Sequence, residues 1–161
     1  MTKYFTFSLS IAFISWIVGM IITALLSKTN FYQQRLSGLN FLSNEKLNTV
    51  LGIQPFKWII IHSFFKYFNP KLSFAKKIKV SELGAYRAEM MKAELNHLFA
   101  FLFMVPFILF RMYQGLYWFA VVMLLVNLIM NLYPTLLQQQ NKRRIDRYLQ
   151  VLKHRSALPV S

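Results

Sequence analysis

Apolar residues gather into three nearly uninterrupted stretches along this chain. Residues 7–26 read FSLSIAFISWIVGMIITALL, residues 95–110 read LNHLFAFLFMVPFILF, and a third stretch covers residues 116–137. A helix needs about 20 apolar residues to cross a bilayer core. The pattern therefore predicts transmembrane helices over residues 7–26, 95–112 and 115–137. The second stretch is the shortest, and its Pro106 sits where neighbouring helices can absorb a kink. Only RMYQG, residues 111–115, separates the last two. A turn that short predicts a tight antiparallel helical hairpin.

A fourth apolar run, VLGIQPFKWIIIHSFFKYFNP at residues 50–70, is interrupted by Pro55, Lys57, His62 and Lys66. It has neither a clean helical nor an alternating period. This predicts an interfacial or re-entrant helical element inside a cytoplasmic region covering residues 27–94. A basic loop, FNPKLSFAKKIKV, comes next. Ser81 and Glu82 then suit a helix start, with a hydroxyl to cap and an acid at the positive end of the dipole. That helix is expected to continue into the second crossing. The fold class is an all-α integral membrane protein, one domain over residues 1–161, with a basic cytoplasmic tail from residue 138.

Charge orients this architecture. The 161 residues are 56% hydrophobic and carry 19 Lys and Arg against 5 Asp and Glu, a net charge of +14. A soluble domain does not normally combine so much apolar content with so few acids. Among the basic residues only Lys3 and Arg111 fall outside residues 28–92 and 142–155. Three crossings with the N-terminus outside put both basic segments in the cytoplasm, as the positive-inside bias requires. A cleaved signal peptide fits poorly, because the charge follows the first apolar run and ITALLSK is a poor cleavage site. The basic excess suits loops facing anionic lipid headgroups; a nucleic-acid surface would bring aromatic or motif context with it. With no cysteine in the chain, disulfide scaffolds, thiolate zinc sites and Cys nucleophiles are excluded.

The third stretch carries amides where lipid would be expected. At 100° per residue Asn127, Asn131, Pro134, Gln138 and Asn141 form one narrow stripe, while Arg143 and Arg147 point the opposite way. The preceding helix carries a matching stripe of Arg87, Met90, Glu94, His97 and Phe101. Counted back from the turn, His97 lies level with Ile129 and Asn131, so a carboxylate, an imidazole and several amides converge near the cytoplasmic membrane boundary. Bland roles compete with a site. Asn127 and Asn131 could be packing glue across the helix pair, Glu94 could neutralise Arg87 or Lys92, and Arg143, Arg144 and Arg147 could be headgroup anchors. His62 is expected to be an interface residue.

A carboxylate-oriented imidazole can take a proton from a hydroxyl, amide NH₂ groups can stabilise an oxyanion, and nearby cations can hold a phosphorylated carrier. Acyl transfer onto an alcohol uses all three. One Glu-x-x-His is half of a di-iron pattern, and three dispersed histidines do not make the His boxes of a membrane oxygenase, so no metal is expected. There is no P-loop, Rossmann fingerprint, Gly-x-Ser-x-Gly elbow or His-x-x-x-x-Asp motif.

KAELNH at residues 92–97, the apolar hairpin, NLYPTLLQQQNKRR at 131–144 and LQVLKHR at 149–155 together resemble the glycosyl-4,4'-diaponeurosporenoate acyltransferase family. Those are small bacterial membrane enzymes that esterify the sugar of a carotenoid glycoside with a fatty acid. The similarity is clearest over residues 82–155, with a weaker match over residues 31–57 at FYQQR and LGIQPFKW. The family's Ala-Glu-x-x-His element falls on Ala93, Glu94 and His97. Its Asn-x-x-Pro element falls on Asn131 and Pro134, and its Gln-Arg-x-Asn-Arg-x-Arg element on Gln138, Asn141 and Arg144. Gln139 and Lys142 stand where arginine is usual, and Phe56 where tryptophan is.

The resemblance implies a transferase of the bacterial cytoplasmic (inner) membrane that binds no cofactor. Its donor would be acyl-CoA or an acyl carrier protein, and its acceptor a glycosylated carotenoid or related glycolipid among the membrane lipids. In that expectation His97 is the general base and Glu94 orients it. Asn127, Asn131 and Gln138 hold the acyl group and oxyanion, and Asn141, Lys142 and Arg144 meet the donor's phosphates or carrier. The alternative is a non-enzymatic lipid-binding or scaffold subunit of a pigment or lipid biosynthesis complex. Oligomeric state stays open.

Overall fold

The computed structural model describes residues 1–39, 52–62 and 80–156. The basic loop expected over residues 68–80 and part of the weaker family match lie largely outside the described residues. Helix α1 covers Thr2–Leu26 and is followed by a π-helical turn at Tyr32–Leu36. Helix α2 is Ile53–His62, α3 is Leu83–Tyr113, α4 is Tyr117–Asn127 and α5 is Tyr133–Ser156. A π-helical segment, Leu128–Leu132, joins α4 to α5. The structure is all-α, and three of its helices are long and apolar enough to cross a membrane: Thr2–Leu26, Val80–Tyr113 and Tyr117–His154.

Helix α1 turns a face of small residues, Ser8, Ala12, Ser15, Gly19 and Thr23, toward the other helices. Between membrane helices, small residues let backbones approach until dispersion contacts hold them. The approach is closest at Gly19, where an added Cβ would lie 2.1 Å from the Asn96 carbonyl oxygen of α3. The hydroxyls of Ser8 and Ser15 donate back to the Tyr4 and Ala12 carbonyls, each at 2.7 Å. They are thereby satisfied without water.

Helix α3 runs unbroken through Pro106, so the helix expected to begin near Ser81 does enter the second crossing. Its start differs from expectation: a 3-10 turn occupies Val80–Glu82 and no side chain caps the first turn. The turn after α3 places Gly115 at φ 75, a left-handed conformation that costs glycine little. Arg111 lies 4.7 Å from the Phe119 ring and 5.3 Å from that of Phe7, so this lone cation at the turn sits on aromatic faces.

Packing partners descend α3 as they ascend the last helices. Ile108 packs with Phe119, Ala120 and Met123, Met104 with Val126, and Met90 with Ile145. Helix α2 packs on the start of α5 and buries Ile53 and Ile60 on Leu136 and Leu137. Its Phe56 ring sits 4.8 Å from that of Tyr133, while Trp58 and Ile59 are exposed. Pro55 is tolerated because it stands in the first turn, where no intrahelical partner awaits an N–H.

Candidate active site

The asparagines of the amide stripe are tied into the helix packing. The Asn131 amide nitrogen donates to Asn127 Oδ1 at 2.9 Å and to Ser15 Oγ at 3.3 Å. Asn131 Oδ1 accepts from the Trp16 indole at 2.8 Å, and Asn127 donates to the Phe101 carbonyl at 3.1 Å. Both asparagines are fully buried, and an amide left unpaired in such a place would cost several kcal/mol. Asn131 thus joins α1, α3 and the π-helical segment, the packing role weighed for it above. Pro134 contributes by what it lacks. With no N–H it leaves the Met130 carbonyl without its i+4 donor, and that oxygen accepts a second contact from the Trp16 indole at 3.3 Å.

Glu94 and Lys142 form a second closed unit. The ammonium lies 2.6 Å from Glu94 Oε2, and the Gln139 amide donates to Oε1 at 3.0 Å. Lys142 also donates to the Leu39 carbonyl. Both charges are almost wholly buried, so the pair must be satisfied internally. This departs from two expectations. Glu94 makes no hydrogen bond to His97 among the described residues, because a carboxylate in a poorly solvated interior goes to the nearest cation rather than to its neighbour at i+3. Lys142, drawn inward by that carboxylate, is not presented to a phosphate.

His97 adjoins the Asn131 unit rather than the ion pair. Its ring meets the Trp16 indole edge-on at a centroid distance of 5.8 Å, with Asn131 and the Met130 carbonyl beside it. His97 lines a cavity of about 300 Å³ with Trp16, Met20, Phe56, Ile60 and Pro134. The walls come from α1, α2, α3, the π-helical segment and the start of α5, and apart from His97 and Asn96 they are almost entirely apolar. Among the described residues His97 Nδ1 is buried and unpartnered, and so are Gln138 Oε1 and both polar atoms of the Asn141 amide. Gln138 and Asn141 follow Pro134 by four and seven positions, which keeps them on its helix face. The two stripes therefore supply an imidazole on the cavity wall and, one and two turns beyond Pro134 along α5, two buried amides with unused hydrogen-bonding capacity among the described residues.

Arg144 is exposed on α5. Burial, and then the nearby Arg144 charge, hold the Lys57 ammonium below its usual range, which places these two cations close together across α2 and α5. Arg143, expected to face away from the stripe, is only half exposed. Sequence patterns did not point to Trp16, Ser15 or Gln139. Trp16 and Ser15 sit in a stretch with no polar period to mark a face, and Gln139 is one residue off the stripe that was followed.

The glycosyl-4,4'-diaponeurosporenoate acyltransferase family model matches residues 28–151, most of the chain. No curated protein and no solved structure matches it.

Proposed function

The chain belongs to the glycosyl-4,4'-diaponeurosporenoate acyltransferase family, and from that premise we propose that it moves a fatty acyl group from a thioester to a sugar hydroxyl of a glycosylated carotenoid, with His97 as the proton acceptor. It is a membrane acyltransferase of carotenoid biosynthesis. The observation that carries the finer reading is the buried His97 imidazole, its Nδ1 unpartnered among the described residues, on the wall of an apolar cavity, with open polar atoms on Gln138 and Asn141 further along α5 beyond the cavity-lining Pro134. Buried polar groups are nearly always hydrogen-bonded. An open imidazole on the wall of an apolar space suits a ligand whose hydroxyl completes it and whose chain fills the cavity, and the open amides further along α5 suit the polar end of the same ligand.

The chemistry balances with these groups alone. The sugar hydroxyl gives its proton to His97 as its oxygen attacks the thioester carbonyl, and Gln138 Oε1 accepts from a neighbouring hydroxyl of the sugar. The Asn141 amide donates to the oxyanion that forms. The carbon–sulfur bond then breaks, His97 returns the proton to the departing thiolate, and an ester and a free thiol result. Asn127 and Asn131 hold the helices that carry these groups, and Glu94 with Lys142 fixes the register of α3 against α5. The donor is acyl-CoA or an acyl carrier protein, met by exposed Arg144 on the cytoplasmic face of the bacterial inner membrane.

The test is to express the gene in cells that make the glycosylated carotenoid and to analyse their extracts by mass spectrometry. Conversion of the glycoside to a product heavier by one fatty acyl group is expected. Unchanged glycoside beside inserted, folded protein would overturn the assignment of acceptor.

A further inference from the structure

A second crevice, about 460 Å³, lies between α1, the π-helical turn at Tyr32–Leu36 and α3. Among the described residues it is lined by Ser27, Tyr32, Gln33, Ser37, Arg87, Ala88, Met91 and Lys92, and it shares none of them with the His97 cavity. On α3 its residues Arg87, Ala88, Met91 and Lys92 occupy one side of the helix, while Asn96 and His97 turn progressively away from it at 100° per residue.

We propose that this crevice holds the headgroup of an anionic membrane phospholipid. Its described lining has two cations and no carboxylate. Arg87 is held in place by an ion pair with Asp146 and reaches the Ser37 carbonyl at 3.4 Å. That pairing offsets the Arg87 charge and leaves the exposed Lys92 to supply the net positive charge of the wall. Depth agrees with charge. Ser27 comes directly after the apolar run of α1, and Lys92 precedes that of α3 by three residues, so both helices put the crevice where hydrocarbon gives way to headgroups. The neighbouring apolar side chains Leu25 and Phe31 are exposed and available to acyl chains.

Tyr32 builds the back of the crevice by packing on Met91 and Leu95. The Ser27 and Ser37 hydroxyls donate to the Ala24 and Gln33 carbonyls at 2.9 and 2.6 Å, which leaves their lone pairs to accept from a hydroxylated headgroup. Phosphate on Lys92 and headgroup hydroxyls on the serines together fit a phosphoglycerol better than a choline.

The phosphate could also come from a soluble carrier, and the experiment separates the two. Delipidated protein in detergent is titrated with phosphatidylglycerol, phosphatidylcholine or coenzyme A and followed by native mass spectrometry. Wild type, Lys92→Gln, Lys92→Arg and a distant control, Lys153→Gln, are compared. Phosphatidylglycerol should bind at one molecule per chain, Lys92→Gln should weaken it about tenfold, the size of one charged contact, and Lys92→Arg should restore most of it. Equal losses in Lys92→Gln and Lys153→Gln would reduce the effect to general surface charge and overturn the site. Displacement of the lipid by coenzyme A would assign the crevice to a soluble carrier and overturn the headgroup. Because the readout is lipid retention, its outcome is independent of acyl transfer.

Discussion

Glu94 and Lys142 tie α3 to α5 through a buried ion pair. Each is buried, and each is neutralised by the other at 2.6 Å. Removing one partner strands a charge, which costs about 3–5 kcal/mol, whereas neutral residues of similar volume in place of both cost little. Glu94→Ala and Lys142→Ala should each lower the thermal midpoint in detergent sharply, and Glu94→Gln combined with Lys142→Met should recover most of the loss. If the double variant is no more stable than the single ones, the pair is not the source of the stability. The sequence marked both residues but paired them wrongly. Helical spacing reports neighbours on one helix, so it linked Glu94 to His97; the partner that won came from another helix, which spacing on a single helix cannot reveal.

At the scale of elements, the π-helical segment Leu128–Leu132 follows from two features that were legible: Asn131 within an apolar run and Pro134 one turn on. What was hidden is the third participant. Trp16 takes both the Asn131 Oδ1 and the Met130 carbonyl freed by Pro134, and nothing in α1's uniform hydrophobicity singles it out. Pro134→Ala restores an N–H that competes for the Met130 carbonyl. It should leave thermal stability equal or higher while lowering turnover by about tenfold to a hundredfold, because the face carrying Gln138 and Asn141 shifts. Unchanged turnover would mean that the π-helical segment does not position the site. Helix α2 was legible only as an interfacial or re-entrant helical element, because its run has no clean period, and the surface that Ile53 and Ile60 meet, Leu136 and Leu137, is a property of the fold.

For the whole molecule, length and hydropathy were enough to reveal three spanning helices, because the bilayer imposes one length on all of them. Orientation rests on the distribution of Lys and Arg. The chain has no cysteine, so single introduced thiols give clean labels. One at Thr2 should react with an impermeant reagent in intact cells and one at Ser156 should not; labelling at Ser156 would reverse the topology. Chemistry was only half legible from the stripes. Packing divides the stripe residues into amides that hold helices together, a buried ion pair, and the few atoms left open among the described residues. The central claim is that His97, among those open groups, accepts the proton of the sugar hydroxyl. The direct measurement is single-turnover acyl transfer to a glycosylated carotenoid by purified His97→Gln, with folding and insertion checked. The glutamine keeps much of the volume and the hydrogen-bonding capacity but is no base. A fall of about 10²-fold or more is predicted; turnover near that of the unaltered enzyme would contradict the account.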